Sequence, residues 1–285
     1  MNATERRHRA RAILGGSACI HPASVHDPLS ARIAEELGFE LGMFAGSTAS
    51  LAILGAPDHI LITLTEFATQ ARRITRAGTL PLVVDADHGY GNALNVQRTV
   101  EELEVAGIAA MSIEDTELPR PFGAPKPRLI SIEEGVGKMR AAVAARVDSS
   151  LCIFARTGAM NVTNRDDCLA RIKAYNDCGT DGIFLTGVTT RAELDAAAEV
   201  ARQPLILGTL SPEITDKDYL ASRGVRIALQ GHAPSQAAAQ AIHATLKALR
   251  EGVQPGQLTG LPEKGAMARW TREAPYSKAM KRFLD

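Results

Sequence analysis

Short apolar runs alternate with longer stretches of helical periodicity from one end of the chain to the other. The runs fall at Ala18–His21, Leu41–Ala45, Leu82–Ala86, Ala110–Glu114, Cys152–Arg156, Gly182–Leu185, Leu205–Leu207 and Arg226–Leu229, and their composition suits buried strands. Helical patterns lie between them, among them Asp27–Leu37, Asn92–Ala106, Ile132–Arg146 and Arg165–Asp177. Gly38, Gly107, Gly179 and Gly224 stand where helix-ending glycines belong. Strand and helix in this cadence predict βα units and a parallel sheet, and about eight such units close a barrel. The expected fold is therefore α/β, a (β/α)8 barrel, with residues 1–285 as one domain. The recurring Ala106-Gly107 and Cys178-Gly179 endings reflect shared βα geometry rather than a solenoid repeat.

Two stretches break the cadence. Thr116–Arg128 is rich in proline and too polar for a core. As a long loop after the fourth strand it is expected to cover the site as a lid. After Gly252 the chain is punctuated by Gly and Pro and then turns helical, so 253–285 is expected to be a C-terminal helical extension. It carries the sole Trp, Trp270, with Tyr276 and Phe283. Such groups need burial, on the chain's own barrel or on another subunit.

Composition narrows the function classes. With 32 basic and 32 acidic residues, no net field favours nucleic acid or an anionic membrane. Cys19, Cys152, Cys168 and Cys178 lack paired-ligand spacing, which argues against a zinc site and a disulfide framework. The charged N-terminus leads into no apolar signal region, and no apolar stretch reaches the length of a membrane span. A cytoplasmic protein is expected.

The chemistry concentrates where strands end. Asp85 and Asp87 close the third run, two apart and so on one side of an extended backbone, and Gly89 and Gly91 follow to permit a tight turn. The fourth run ends likewise in Glu114-Asp115. A single strand-end acid is commonly a helix cap; the same arrangement on two neighbouring strands points instead to carboxylates converging on a hard cation. Arg156 ends the fifth run, where its fork would meet a carboxylate, or a strand-end acid such as Glu114, or both. Ser47, in Gly46-Ser47-Thr48, offers a binding hydroxyl or belongs to a plain turn. His232, after the eighth run, could bind an anion, move a proton or cap a helix. His88 would point away from Asp85 and Asp87 and so stand behind them. Gly89-Tyr90-Gly91 lacks the third spaced glycine of a dinucleotide loop, so no nucleotide cofactor is implied.

Taken together, Asp85-Ala-Asp-His-Gly-Tyr-Gly91, Ser112-Ile-Glu-Asp115, Ala155-Arg-Thr157 and Gly46-Ser47 resemble the phosphoenolpyruvate mutase/isocitrate lyase superfamily over nearly the whole chain. Ser24–Phe39, Asp85–Val96 and Gly231-His232-Ala233 are most similar to its bacterial oxaloacetate decarboxylase branch. The resemblance implies a barrel whose C-terminal helix packs on a neighbouring subunit in a homotetramer. It implies Mg²⁺, with Mn²⁺ as the alternative, bound by Asp85 and reached largely through water by Asp87 and Glu114. It also implies substrate contacts from Ser47, Arg156 and His232. The lyases of the superfamily use a cysteine in the gating loop, and Thr116–Arg128 has none. Gly158 and Leu210 stand where the family usually has an Asn or Asp and a tyrosine, each change removing a polar group from the pocket.

The expected reaction is Mg²⁺-dependent decarboxylation of oxaloacetate, a small α-keto dicarboxylate, to pyruvate through an enolate, with Asp85, Arg156 and His232 as the catalytic set. The alternatives are oxaloacetate hydrolysis, phosphonopyruvate chemistry or C–C cleavage on the same scaffold. A barrel that binds a metabolite without turning it over is a further one.

Overall fold

In the computed structural model, which describes residues 1–284, eight parallel strands form: β1 (Ala23–Ser24), β2 (Gly42–Phe44), β3 (Leu82–Asp85), β4 (Ala110–Glu114), β5 (Cys152–Thr157), β6 (Gly182–Leu185), β7 (Leu205–Leu207) and β8 (Val225–Ala228). They pair in chain order. A parallel bridge between Ile20 and Ile227 closes the barrel, the Ile20 amide donating to Arg226 O at 2.9 Å and the Ala228 amide to Ile20 O at 3.0 Å.

The first strand differs from expectation. Of Ala18–His21 only Ile20 makes a bridge, and the ladder to β2 is carried by Ala23–Ser24. Pro22 lies between them and has no amide hydrogen, so the segment changes partner across it, from β8 before the proline to β2 after it. The other seven strands agree with the predicted boundaries to within one residue at each end.

The helices are α1 (Ala3–Leu14), α2 (Pro28–Glu36), α3 (Gly46–Ala49), α4 (Leu64–Thr75), α5 (Ala93–Val105), α6 (Ile132–Ala145), α7 (Ala159–Val162), α8 (Arg165–Tyr175), α9 (Arg191–Val200), α10 (Lys217–Ser222), α11 (Ala233–Arg250), α12 (Ala266–Trp270) and α13 (Glu273–Phe283). Side-chain caps start the main ones. Asp27 accepts the Ser30 amide at 2.7 Å before α2, and Asn92 accepts the Leu94 amide at 2.9 Å before α5, each satisfying a backbone donor the helix leaves free. Gly38, Gly107, Gly179 and Gly224, with φ from 77° to 82°, follow α2, α5, α8 and α10 as expected.

Strand alternation divides the core in two. Val83, Ala110, Phe154, Phe184, Ile206 and Ile227 point into the barrel, while Val84, Met111, Ile153, Ile183 and Leu207 pack outward beneath the helices. Ala10 and Leu14 of α1 join the inner cluster. Arg7 of α1 ties to Asp148 at 2.7 Å, and Arg11 ties to Asp181 at 2.8 Å.

The C-terminal elements behave unlike the rest. α11 takes the place of the eighth barrel helix, yet only Ser235 of it is buried, and Ile242, Leu246 and Leu249 face solvent. The chain then returns. Ala266 of α12 is buried, and Arg272 after it donates to Glu35 Oε2 of α2 at 2.9 Å and to Ala77 O at 3.0 Å. Trp270 is half-buried. α13 leaves Tyr276, Met280 and Phe283 exposed.

Candidate active site

The inward positions of neighbouring strands become charged at their C-terminal ends. Val83 is followed by Asp85, Ser112 by Glu114 and Phe154 by Arg156, and the register sets Asp85 beside Ser112 and Glu114 beside Arg156. Arg156 Nη1 donates to Asp85 Oδ2, and Nη2 lies 3.4 Å from Glu114 Oε2. The guanidinium sits 5.4 Å from the centre of the Phe184 ring on β6. Burial opposes the charge on Arg156, but Asp85 and Glu114 more than offset it and keep the group cationic.

Asp87 joins these acids by another route. The strand stops at Asp85, and Asp87 has φ 48°, a left-handed turn in which its amide donates to Asp85 Oδ1 at 3.2 Å. Gly46, at the start of α3, approaches from the next strand: a Cβ there would lie 2.8 Å from Asp87 Oδ1. Gly89 is equally constrained, with φ 75° and a Cβ that would meet Val96 at 2.4 Å. His88 is buried at the turn and pushed down to about 4, by burial first and then by Lys138 of α6.

The cluster is short of positive charge. Burial raises the Asp87 carboxyl well above the usual range, and Asp85, Glu114 and Asp58 raise it further. Burial also raises Glu114, with Arg156 pulling the other way. Asp87 Oδ2 is buried without a hydrogen-bond partner, a costly state for a carboxylate oxygen. A divalent cation would supply both the missing charge and the missing partner. Among the described residues no three His, Cys, Asp or Glu groups are gathered closely enough to hold an ion. Both Asp85 oxygens already accept hydrogen bonds, from Arg156 and from Ser112 and the Asp87 amide. The donors fit a divalent cation with few direct protein ligands and the rest water.

A cavity of about 500 Å³ opens over these groups. Asp85, Asp87, Glu114 and Arg156 form its floor, and Thr116, Glu117, Leu118, Pro119, Arg120 and Pro127 of the proline-rich loop form one wall. Asp58, His59 and Ile60 line it too. Asp58 carries a pKa raised by partial burial and by Asp85. The sequence reading missed this residue. Its loop follows a π-helical turn at Ser50–Leu54 and holds Ile60 at φ 58°, a strained conformation of the sort found at binding sites. Its place in the loop after β2 was the available signal.

Ser47 and His232 are not among the residues lining this cavity. Ser47 follows Gly46 in α3, adjacent to the Asp87 contact. His232 sits at the N-cap of α11 without capping it, and its Nδ1 hydrogen-bonds Ser24 Oγ of β1 at 2.8 Å. Burial lowers its pKa, while Asp85 and Asp58 act in the opposite sense. Gly158 packs on Thr186, 3.0 Å from where a Cβ would stand, and Leu210 packs against the outer core; neither lines the cavity.

An eight-stranded parallel barrel with clustered acids and an arginine at the C-terminal ends of adjacent strands defines a barrel enzyme for small anions, of the kind that works with a divalent cation. The chain belongs to the phosphoenolpyruvate phosphomutase family, whose model matches residues 12–250, within the phosphoenolpyruvate mutase/isocitrate lyase superfamily. An oxaloacetate decarboxylase from Bradyrhizobium sp. (strain ORS 278) is 58% identical over 279 residues, covering 98% of this chain and 97% of that one. Among solved structures, a phosphonopyruvate hydrolase in complex with oxalate and Mg²⁺ superposes with a TM-score of 0.88 at 27% identity, over the full length of both chains. An oxaloacetate acetylhydrolase in complex with 3,3-difluorooxalacetate superposes with a TM-score of 0.84 at 30% identity, covering 98% of this chain and 96% of that one.

Proposed function

We propose that this chain is a carboxy-lyase that decarboxylates oxaloacetate to pyruvate and CO₂ with a divalent cation, Mg²⁺ or Mn²⁺. The observation that carries the reading is the buried Asp85–Arg156–Glu114 array with unpartnered Asp87 beneath a cavity of about 500 Å³. The near-full-length similarity to an oxaloacetate decarboxylase supports it.

As the C3–C4 bond breaks, its electron pair moves toward the C2 oxygen and a proton then reaches C3. Asp85 would hold a divalent cation, with Asp87 and Glu114 reaching it through water, and the bound ion would supply positive charge for the developing enolate. Arg156, already oriented by Asp85 and Glu114, offers its buried and unpartnered Nε to a substrate oxygen. Ser47 contributes a hydroxyl to a carboxylate. To His232, held through Nδ1 by Ser24 Oγ, we assign the departing carboxylate and the positioning of the proton for C3. The loop wall from Thr116 to Pro127 excludes water from this chemistry.

Cleavage that uses a cysteine is disfavoured by where the thiols stand, since none of Cys19, Cys152, Cys168 and Cys178 lines the cavity and a raised pKa withholds the thiolate. All four are buried, and burial pushes Cys19 to about 11, Cys168 to about 11 and Cys152 to about 12. The test is pyruvate formation from oxaloacetate with Mg²⁺, corrected for the metal's own decarboxylation, with Asp85→Ala as control. Wild-type turnover above background that the variant lacks supports the reading. Background turnover in both, with oxalate still bound, keeps the metal site and rejects the substrate.

The assembly we infer is a homotetramer with exchanged C-terminal helices. Ile242, Leu246 and Leu249 of α11 recur at i, i+4 and i+7, as do Tyr276, Met280 and Phe283 of α13, and all six are exposed on the single chain. Such stripes call for a second subunit. A cytoplasmic location accords with the free thiols, and no described helix is long and apolar enough to cross a membrane.

A further inference from the structure

We propose that Arg171 of α8 is a positioning residue for the pocket, clamping both feet of the 116–129 loop with one guanidinium and so fixing Glu114. The feet are Asp115 and Ile130. The Ile130 amide donates to Asp115 O at 2.9 Å, Thr116 bridges Leu129, and the Glu117 amide donates to Arg128 O at 2.8 Å. These rungs make a short antiparallel stalk with the pocket-lining residues Leu118–Arg120 and Pro127 beyond it.

Arg171 grips the base of the stalk from outside the barrel. Nη1 donates to Asp115 Oδ2 at 2.9 Å, Nη2 to Ile130 O at 3.0 Å, and Nε to Asp167 Oδ2 on its own helix at 3.1 Å. The Tyr175 hydroxyl, one turn further along α8, donates to the same Asp115 oxygen at 2.7 Å. Gly135 of α6 leaves room for it: a Cβ there would lie 2.3 Å from that hydroxyl. Asp115 and Tyr175 are fully buried and Arg171 is 5% exposed.

The clamp reaches the site through two short connections. The Asp115 amide donates to Arg156 O at 3.2 Å, and Thr116 Oγ1 donates to Glu114 Oε2 at 3.0 Å. Movement of either foot would therefore shift the backbone of Arg156 and the carboxylate of Glu114. Packing of α8 alone does not call for this arrangement. An apolar residue fills a buried position as well as an ion pair does, whereas only a planar fork with separate donors can hold two strands and a helix together.

The inference rests on the pocket proposed above but not on oxaloacetate as substrate, so the probe is oxalate with Mg²⁺, read by calorimetry, alongside amide exchange measured by mass spectrometry. Arg171→Lys keeps the charge and loses the fork. It is expected to exchange faster in 115–130 while other peptides match wild type, and to bind oxalate about tenfold or more weakly. Arg171→Met is expected to be worse on both counts. Tyr175→Phe keeps the arginine and is expected to shift both readouts in the same direction by less. Wild-type exchange and affinity in folded Arg171→Lys overturn the proposal. If neither Arg171 variant folds, unchanged values in Tyr175→Phe overturn it. Failure of wild type to bind oxalate would count against the proposed pocket, and the exchange pattern would still decide the clamp.

Discussion

Asp87→Asn separates what the acid cluster costs the folded chain from what it gains on binding a cation. The substitution keeps shape and removes charge, and asparagine is among the residues best suited to the φ of 48° at this position. No group of the chain partners the buried Asp87 Oδ2, which lies close to Asp85, Glu114 and Asp58. Asparagine leaves a polar atom in that place but removes the charge that burial and the neighbouring acids disfavour; an uncompensated buried polar group costs about 1–3 kcal/mol, and more when it is charged. In chelator the variant should therefore be the more stable protein by about 1–2 kcal/mol, which raises the melting temperature by roughly 2–4 °C per kcal/mol in a chain of this size.

Metal erodes the advantage, and reverses it where the loss of affinity is largest. At a cation concentration a hundredfold above the dissociation constant, wild type gains about 2.7 kcal/mol. Losing one water-mediated carboxylate weakens binding by about ten- to a hundredfold, leaving the variant an increment of about 1.4 down to about 0.4 kcal/mol. Acidity provides a second check. The folded Asp87 carboxyl is raised above its unfolded value, so its cost is absent below the unfolded pKa and fully present above the folded one. The stability gap between variant and wild type should therefore close as pH falls toward about 4. Thermal unfolding in chelator and in Mg²⁺ across that range reads all three quantities. A metal-free wild type as stable as the variant at neutral pH, equal metal increments, or a gap that widens on acidification would refute the reasoning.

Gly46→Ala should damage the same site from the neighbouring strand, because its Cβ would lie 2.8 Å from Asp87 Oδ1; calorimetry should show oxalate with Mg²⁺ bound about tenfold more weakly with the fold intact. His88, pushed down to about 4, resists protonation when folded, so wild type should lose stability as pH falls from about 6.5 toward that value. His88→Gln should remove that slope, worth on the order of 2 kcal/mol after allowing for solvent screening, in unfolding curves compared at both ends of the range. Ile242→Glu with Leu246→Glu, on the exposed stripe of α11, should convert the homotetramer inferred above to a smaller species by light scattering; an unchanged mass would place the inferred subunit contact elsewhere.

What could be read from the chain depended on how each residue is held. Asp85, Glu114 and Arg156 are carried by strands, and the period of two that buries Val83, Ser112 and Phe154 inside the barrel continues into them. A residue held by a ladder is visible in the pattern because its neighbours share its geometry. Asp87 reaches the same cluster although the strand ends at Asp85, through a left-handed turn that alternation does not describe. Ile20 and Ala23 face different partner strands because a proline stands between them, which the apolar run alone could not resolve. Asp58 lies beyond the pattern altogether. It is brought to the cavity by a loop whose conformation, with Ile60 at φ 58°, exists only because the folded barrel imposes it. The same holds for Ser24 on His232 and for Arg171 on Asp115, pairs separated by 208 and 56 residues. Local period thus specifies which strand ends carry charge, and tertiary contact specifies how those charges are oriented and covered. That division sets Asp85, Glu114 and Arg156 on the strands of this chain, and leaves the remaining site groups and the control of access to the loops and helices around them.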